Sequence, residues 1–178
     1  MHTGVFTNRT LSARVLSGIA LAALFACARP GAALAAARVG DAEVREGPRG
    51  GPCFTISPRE ERLGTPDFQA VTVSDGHHLL WKMNMPPGRS FPLSFSMCVP
   101  YGGRVASLPH SEALALEAGR VYSLHIDARA PRGHATPPSY EARFCLARQR
   151  DGSVVVHQIW SGDREGRRLY GCLPPGDD

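Results

Sequence analysis

The chain has 178 residues, 43% of them hydrophobic and 7% aromatic, and the 141 from Arg38 onward (178 minus 37) are enough for one domain with a real core but hardly for two. Its formal net charge of +4 overstates the domain's charge: Arg9, Arg14 and Arg29 lie ahead of Arg38 in a stretch without acidic residues, leaving 17 basic against 16 acidic residues from Arg38 onward. That near-balance, spread over scattered arginines with Lys82 the one lysine, excludes the dense cationic stripe that a nucleic-acid partner requires.

Residues 1–37 read as a cleaved signal peptide with its c-region. Arg9 and Arg14 supply the charged start, residues 15–26 the apolar run, and Pro30-Gly31 the break before an alanine-rich stretch. The run is too short to span a bilayer. Two processing sites compete. Ala33-Leu34-Ala35 fits small-x-small cleavage, while Leu24-Phe25-Ala26-Cys27 resembles a lipobox in which Cys27 becomes the lipidated first residue. Residues 38–51, ending in a Gly- and Pro-rich run, read as a flexible N-terminal tether, and residues 52–178 as one domain with a C-terminal tail.

From Cys53 onward the dominant period is two, the mark of half-buried strands. Phe54 and Ile56 alternate with Cys53, Thr55 and Ser57. Residues 68–73 form a second run closed by Ser74-Asp75-Gly76, and residues 79–83 a third, ending before Pro86-Pro87-Gly88. A fourth has Phe91, Leu93, Phe95, Met97 and Val99 on one face and Ser94, Ser96 and Cys98 on the other. Ser111 and Gly119 bracket a stretch that reads as a short capped helix. The competing and favoured reading rests on Leu116, Gly119 and Tyr122 ahead of an alternating run. This resembles the fibronectin type III pattern in which a tyrosine corner ties the strand start to upstream backbone, so Tyr122 is the expected structural tyrosine. Further strands follow at residues 122–127 and 140–146, and Asp151-Gly152 signals a hairpin into residues 154–160. Seven or more short strands with frequent turns predict an all-β fold, an antiparallel immunoglobulin/fibronectin type III-like β-sandwich.

Beyond the signal, Cys53, Cys98, Cys145 and Cys172 suit two disulfides formed in an oxidising compartment such as the bacterial periplasm. The first three share strand faces with polar residues, which places their sulfurs away from the central core. Of the three possible connectivities, Cys53 with Cys98 and Cys145 with Cys172 is favoured, since the second bridge would pin the tail after Trp160 to a central strand.

Chemistry-bearing motifs are sparse. His77, His78, His110, His125, His134 and His157 show no helical zinc spacing and read as solvated side chains. The chain has no Gly-x-Ser-x-Gly elbow and no Cys-x-x-Cys, and its Gly47 to Gly51 run lacks the ending of a phosphate loop. The expectation is therefore a non-enzyme with no catalytic residues, no metal and no cofactor. Glu60 and Glu61, and the charges at 163–165, read as solvated loop residues. Long polar loops at 85–90, 100–110 and 129–139 are the candidate binding surfaces. Arg148, Arg150, Arg164, Arg167 and Arg168 read as solvated surface, with an acidic partner as the sharper alternative.

Cys53-Phe54-Thr55, Cys98-Val99-Pro100-Tyr101-Gly102, the run from Leu116 to Tyr122, and Tyr140-Glu141-Ala142-Arg143-Phe144-Cys145-Leu146, together with the export signal, resemble a bacterial family of type VI secretion system immunity periplasmic lipoproteins. The resemblance implies an exported, periplasmic protein whose partner is a secreted toxin that it binds and neutralises. It also implies membrane attachment only through an N-terminal lipid, at Cys27, and carries over no catalytic residue. The alternatives are a structural or adhesin-like envelope module, or a carrier of a small ligand or metal.

Overall fold

The computed structural model describes residues 38–103, 107–132, 136–160 and 172. Residues 1–37, read from the sequence as a signal peptide and including Cys27, lie outside them, as do His134, Asp163, Arg164, Glu165, Arg167 and Arg168. The elements are β1 (Val39–Glu46), β2 (Pro52–Ile56), α1 (Pro58–Glu61), β3 (Asp67–Asp75), β4 (His78–Asn84), β5 (Phe91–Pro92), β6 (Val99–Pro100), β7 (Val121–Arg129), β8 (Ser139–Arg148) and β9 (Val154–Ile159). The all-β class holds. The strands follow one path, β4-β3-β7-β8-β1-β2-β6, with β5 added to β3 and β9 to β8. Every pairing is antiparallel except β1 with β8, so the sheet is mixed.

Period-two patterning decides which face each strand buries. On β7, Tyr122, Leu124 and Ile126 are sealed while Ser123 and Asp127 stand in solvent and His125 is half-buried. On β8, Tyr140 and Phe144 point the same way. The sheet then curls on itself: Phe54 of β2 lies 6.3 Å from Trp81 of β4, ring centre to ring centre, although four strands separate them along the path. Phe54 also meets Tyr101 at 6.4 Å and Phe144 at 5.7 Å, and Phe144 meets Tyr122 at 5.5 Å. Each fully buried ring contributes roughly 1.5–3 kcal/mol of burial, and each ring pair about 0.5–1.5 kcal/mol more.

The segment expected as a tether, residues 38–51, instead carries β1, which links β8 to β2 in the sheet. Val39 to Asp41 pair in parallel with the start of β8, and Ala42 to Glu46 pair with β2. Gly40 permits this approach, because a Cβ there would fall 2.5 Å from Tyr140 Cδ1 and 2.7 Å from Pro137 Cγ. Arg38 is held as well. Its two guanidinium nitrogens donate to the Glu60 carboxylate at 2.7 and 2.8 Å. Glu60 is completely buried, contrary to the expectation of a solvated loop charge. It stands at the third position of α1, where Ser57 caps and Pro58 opens the turn, and its backbone N–H donates to Ser57 Oγ at 3.3 Å. Glu61 is also engaged, accepting from the Phe95 N–H at 2.8 Å.

The long fourth strand expected over residues 91–99 breaks into the two-residue strands β5 and β6. Between them, Met97 N–H donates to Ser94 O at 3.1 Å, and the Ser94 and Ser96 hydroxyls bond each other at 2.8 Å. These local bonds compete with ladder formation. Residues 111–117 form no helix. The segment 109–114 runs along the outer edge of β4, with Asn84 N–H donating to Pro109 O, Ser111 N–H to Lys82 O and Leu114 N–H to Leu80 O. The Asp151-Gly152 turn does form a β8–β9 hairpin, with Gly152 at φ 85°.

Two disulfides join Cys53 to Cys98 and Cys145 to Cys172, with Cα separations of 5.5 and 5.9 Å. None of the four sulfurs belongs to the main aromatic core. The first bridge lies behind β2, where Thr55 Oγ1 donates to Ser94 O at 2.8 Å, so β2 is covered on both faces. The second makes a small apolar patch of its own with Ala147 and Val155 on the outer face of the sheet.

Candidate functional site

Outside the aromatic core, the feature with the most chemistry is a groove on the outer face of the sheet, about 630 Å³ in volume. Its origin is topological. β1 occupies the edge of β8 as far as Glu141, and β9 takes over that edge from Arg143. Where the two neighbours diverge, the Gln158 amide bridges them by accepting from Val44 N–H at 2.7 Å and donating to Ala42 O at 3.1 Å. One side chain thus supplies the ladder bonds that a neighbouring backbone would otherwise give, satisfying two strand groups. The depression beside it is lined by Asp41, His125, Glu141, Arg143, Gln158 and Trp160, among others.

His125 is fixed by its neighbours. Nδ1 lies 3.1 Å from Glu141 Oε1 and Nε2 lies 3.1 Å from Asp127 Oδ1. Each ring nitrogen therefore faces a carboxylate oxygen within hydrogen-bond distance. Among the described residues, no three His, Cys, Asp or Glu side chains gather as a metal site.

The Tyr122 hydroxyl accepts from Glu117 N–H at 2.7 Å and donates to Glu117 O at 3.1 Å, tying the start of β7 to the backbone five residues upstream. Beside it, Arg120 pairs with Asp75 and with Glu117. Tyr101 donates to Leu114 O at 2.7 Å, and burial pushes its hydroxyl up to about 12. Burial does the same to Tyr140, reinforced by the Glu60 charge. All these contacts are structural in kind.

Of the three loops singled out in the sequence, two meet at one end of the sheet: Arg129 donates to Ser90 Oγ at 3.1 Å and pairs with Asp67 at 3.6 Å. The third lies beside an apolar hollow of about 310 Å³ walled by Met83, Phe91, Met97 and Leu108. His77 and His78 are exposed at the β3–β4 turn, and Arg148 and Arg150 are exposed around the β8–β9 turn. Sequence reasoning missed the groove because its lining comes from strands far apart in the chain. The available signal was the polar series Ser123, His125 and Asp127 facing Glu141 and Arg143 once β7 and β8 are paired.

Set against known protein families, curated proteins and solved structures, the chain matches none of them.

Proposed function

We propose that this protein is exported to the bacterial periplasm, where it binds and neutralises a toxin delivered by a neighbouring cell, acting by contact and without catalysis. One observation carries the reading. The four segments that resemble the immunity lipoprotein family meet in a single nucleus: Cys53 is bridged to Cys98, Phe54 packs on Tyr101 and Phe144, and Phe144 packs on Tyr122. Residues scattered over about ninety positions thus pack around one nucleus. Two bridges also suit an oxidising compartment.

The finer architectural reading belongs here too. We take the curled sheet as an immunoglobulin-like sandwich, supported by the contact of Phe54 with Trp81 across the layers and by the double hydrogen bond of Tyr122. Anchorage through lipidated Cys27 remains part of the proposal. The 10 residues between Cys27 and Arg38 extend at most about 40 Å, which keeps a tethered domain close to the membrane.

The test is periplasmic co-expression with the product of any toxin-like gene adjacent on the chromosome. Protection of the host, together with capture of the toxin by the purified protein, is the expected outcome. Intoxication undiminished by a properly exported, oxidised protein would overturn the reading.

A further inference from the structure

We infer that the groove between β1 and β9 on the outer face of the sheet is a binding site for a neutral oligosaccharide. This inference stands independently of toxin neutralisation, since it rests on the lining of the groove alone. Three properties of that lining converge on one class of ligand.

The first is charge balance. Asp41 and Glu141 offer carboxylate oxygens, Arg143 offers N–H groups, and Ser74 and Ser123 add hydroxyls of either sense. A ligand with a net charge of either sign meets at least one group of its own sign. Phosphate and nucleic acid are disfavoured by the carboxylates, and polyamines by the guanidinium. Hydroxyl groups both donate and accept, so a polyhydroxylated neutral molecule can use the whole mixed set.

The second is an unused donor. Arg143 makes no side-chain hydrogen bond or ion pair among the described residues, although it lines the groove. Its planar fork of five N–H groups is free to engage two neighbouring oxygens at once, the spacing presented by vicinal hydroxyls on a ring. Glu141, already oriented by His125, is its close neighbour on β8 and shares its face.

The third is an apolar rim. Trp160 is 51% exposed and Val39 is 48% exposed, both at the groove. An indole with an apolar face and a polar edge suits a surface that is partly wet. A pyranose has the matching form, with hydroxyls around its edge and C–H groups on its face. The 630 Å³ volume lies within the usual range for small-ligand sites, roughly 300–1,000 Å³, and leaves room for two or three sugar units. A hydrocarbon chain would leave the carboxylates and the guanidinium unpaired, which excludes a lipid.

The two tryptophans allow a direct readout, because Trp81 is fully buried while Trp160 is half exposed. The full-length exported protein is titrated with N,N′-diacetylchitobiose and cellobiose as neutral probes, and with a diuronic acid as the anionic one. Tryptophan emission and backbone amide shifts are followed together. The neutral disaccharides are expected to alter the solvent-exposed emission component and to shift the amides of His125, Glu141 and Arg143. Arg143→Gln and Trp160→Ala are each expected to weaken binding roughly tenfold or more without lowering the melting temperature by more than about 2 °C. Arg148→Gln, away from the groove, is expected to leave binding unchanged. No response to either neutral sugar at millimolar concentration, preference for the diuronic acid, or binding undiminished in both groove variants would each overturn the inference.

Discussion

The inner and outer faces of the main sheet are drawn from the same strands, but different forces organise them. On the inner face, Tyr122, Tyr140 and Phe144 join Phe54 and Trp81 in one core where hardly any surface reaches water. On the outer face, Ser123, His125, Asp127, Glu141 and Arg143 form a polar field that gives way, at Cys145 and Ala147, to a second small apolar patch closed by Cys172. The contrast shows where a bridge is useful. The inner face has large rings to hold it, whereas the outer patch has only small side chains and relies on the covalent tie to hold Cys172 against it.

The strongest way to break this comparison is to remove one ring from the inner face. Phe144→Ala leaves a cavity among Phe54, Tyr122 and their neighbours, and the expected loss is about 3–5 kcal/mol, read from urea unfolding of the oxidised protein. Next comes the outer patch. The chain-entropy relation gives about 3.6 kcal/mol for the 27-residue separation of Cys145 and Cys172, so the Cys145→Ala/Cys172→Ala pair is expected to lower stability by up to that amount. Hydrogen exchange sharpens the distinction. The double variant should keep the β7 and β8 amides protected in its native state, whereas the Phe144 variant should loosen both strands.

A smaller effect is expected at Glu60. Its hydrogen bonds to Arg38 hold its carboxyl below the usual glutamate range, despite the opposing effect of burial. A depressed native value means that the contribution is present above the unfolded-state value near 4.5 and is lost as pH falls through the native one. Because Arg38 is half exposed, the pair is screened, and Glu60→Gln is expected to cost about 1–2 kcal/mol at pH 7. The difference from the parent should shrink below pH 4, which chemical denaturation at stepped pH would show. Tyr122→Phe should follow at about 1 kcal/mol, because it removes both hydrogen bonds to Glu117 but keeps the ring.

What the sequence made legible follows the same division. Strands with large apolar residues in alternation, β3, β7 and β8, could be read directly, as could the hairpin at Asp151-Gly152. The displacement of the sulfurs from the main core was legible too, since parity along a strand fixes the face. β1 was not. Its inward residues are Gly40, Ala42 and Val44, too small to stand out among Asp41, Glu43 and Arg45, and the reason for their size lies in Tyr140 and Pro137, a hundred residues away. α1 carried a readable signal in Ser57-Pro58-Arg59-Glu60, a cap with proline and glutamate at their proper places, but four residues give no period to notice. The groove was invisible for a third reason: only the pairing of β7 with β8 and the divergence of β1 from β9 bring its polar residues together.

The smallest expected effect tests whether the outer field contributes to stability at all. His125 bonds Asp127 and Glu141, but all three side chains are 40% exposed or more, so solvent and salt screen the pairs. Asp127→Asn with Glu141→Gln is therefore expected to change stability by about 0.5 kcal/mol or less. Whatever difference remains in low salt should disappear in 1 M salt, where the screening length is about 3 Å and falls below the reach of an exposed pair. A loss above about 1.5 kcal/mol that persists in high salt would mean that these carboxylates act as buried, structural partners of His125. The outer face would then be a second core in polar form, no longer a surface kept open for contact.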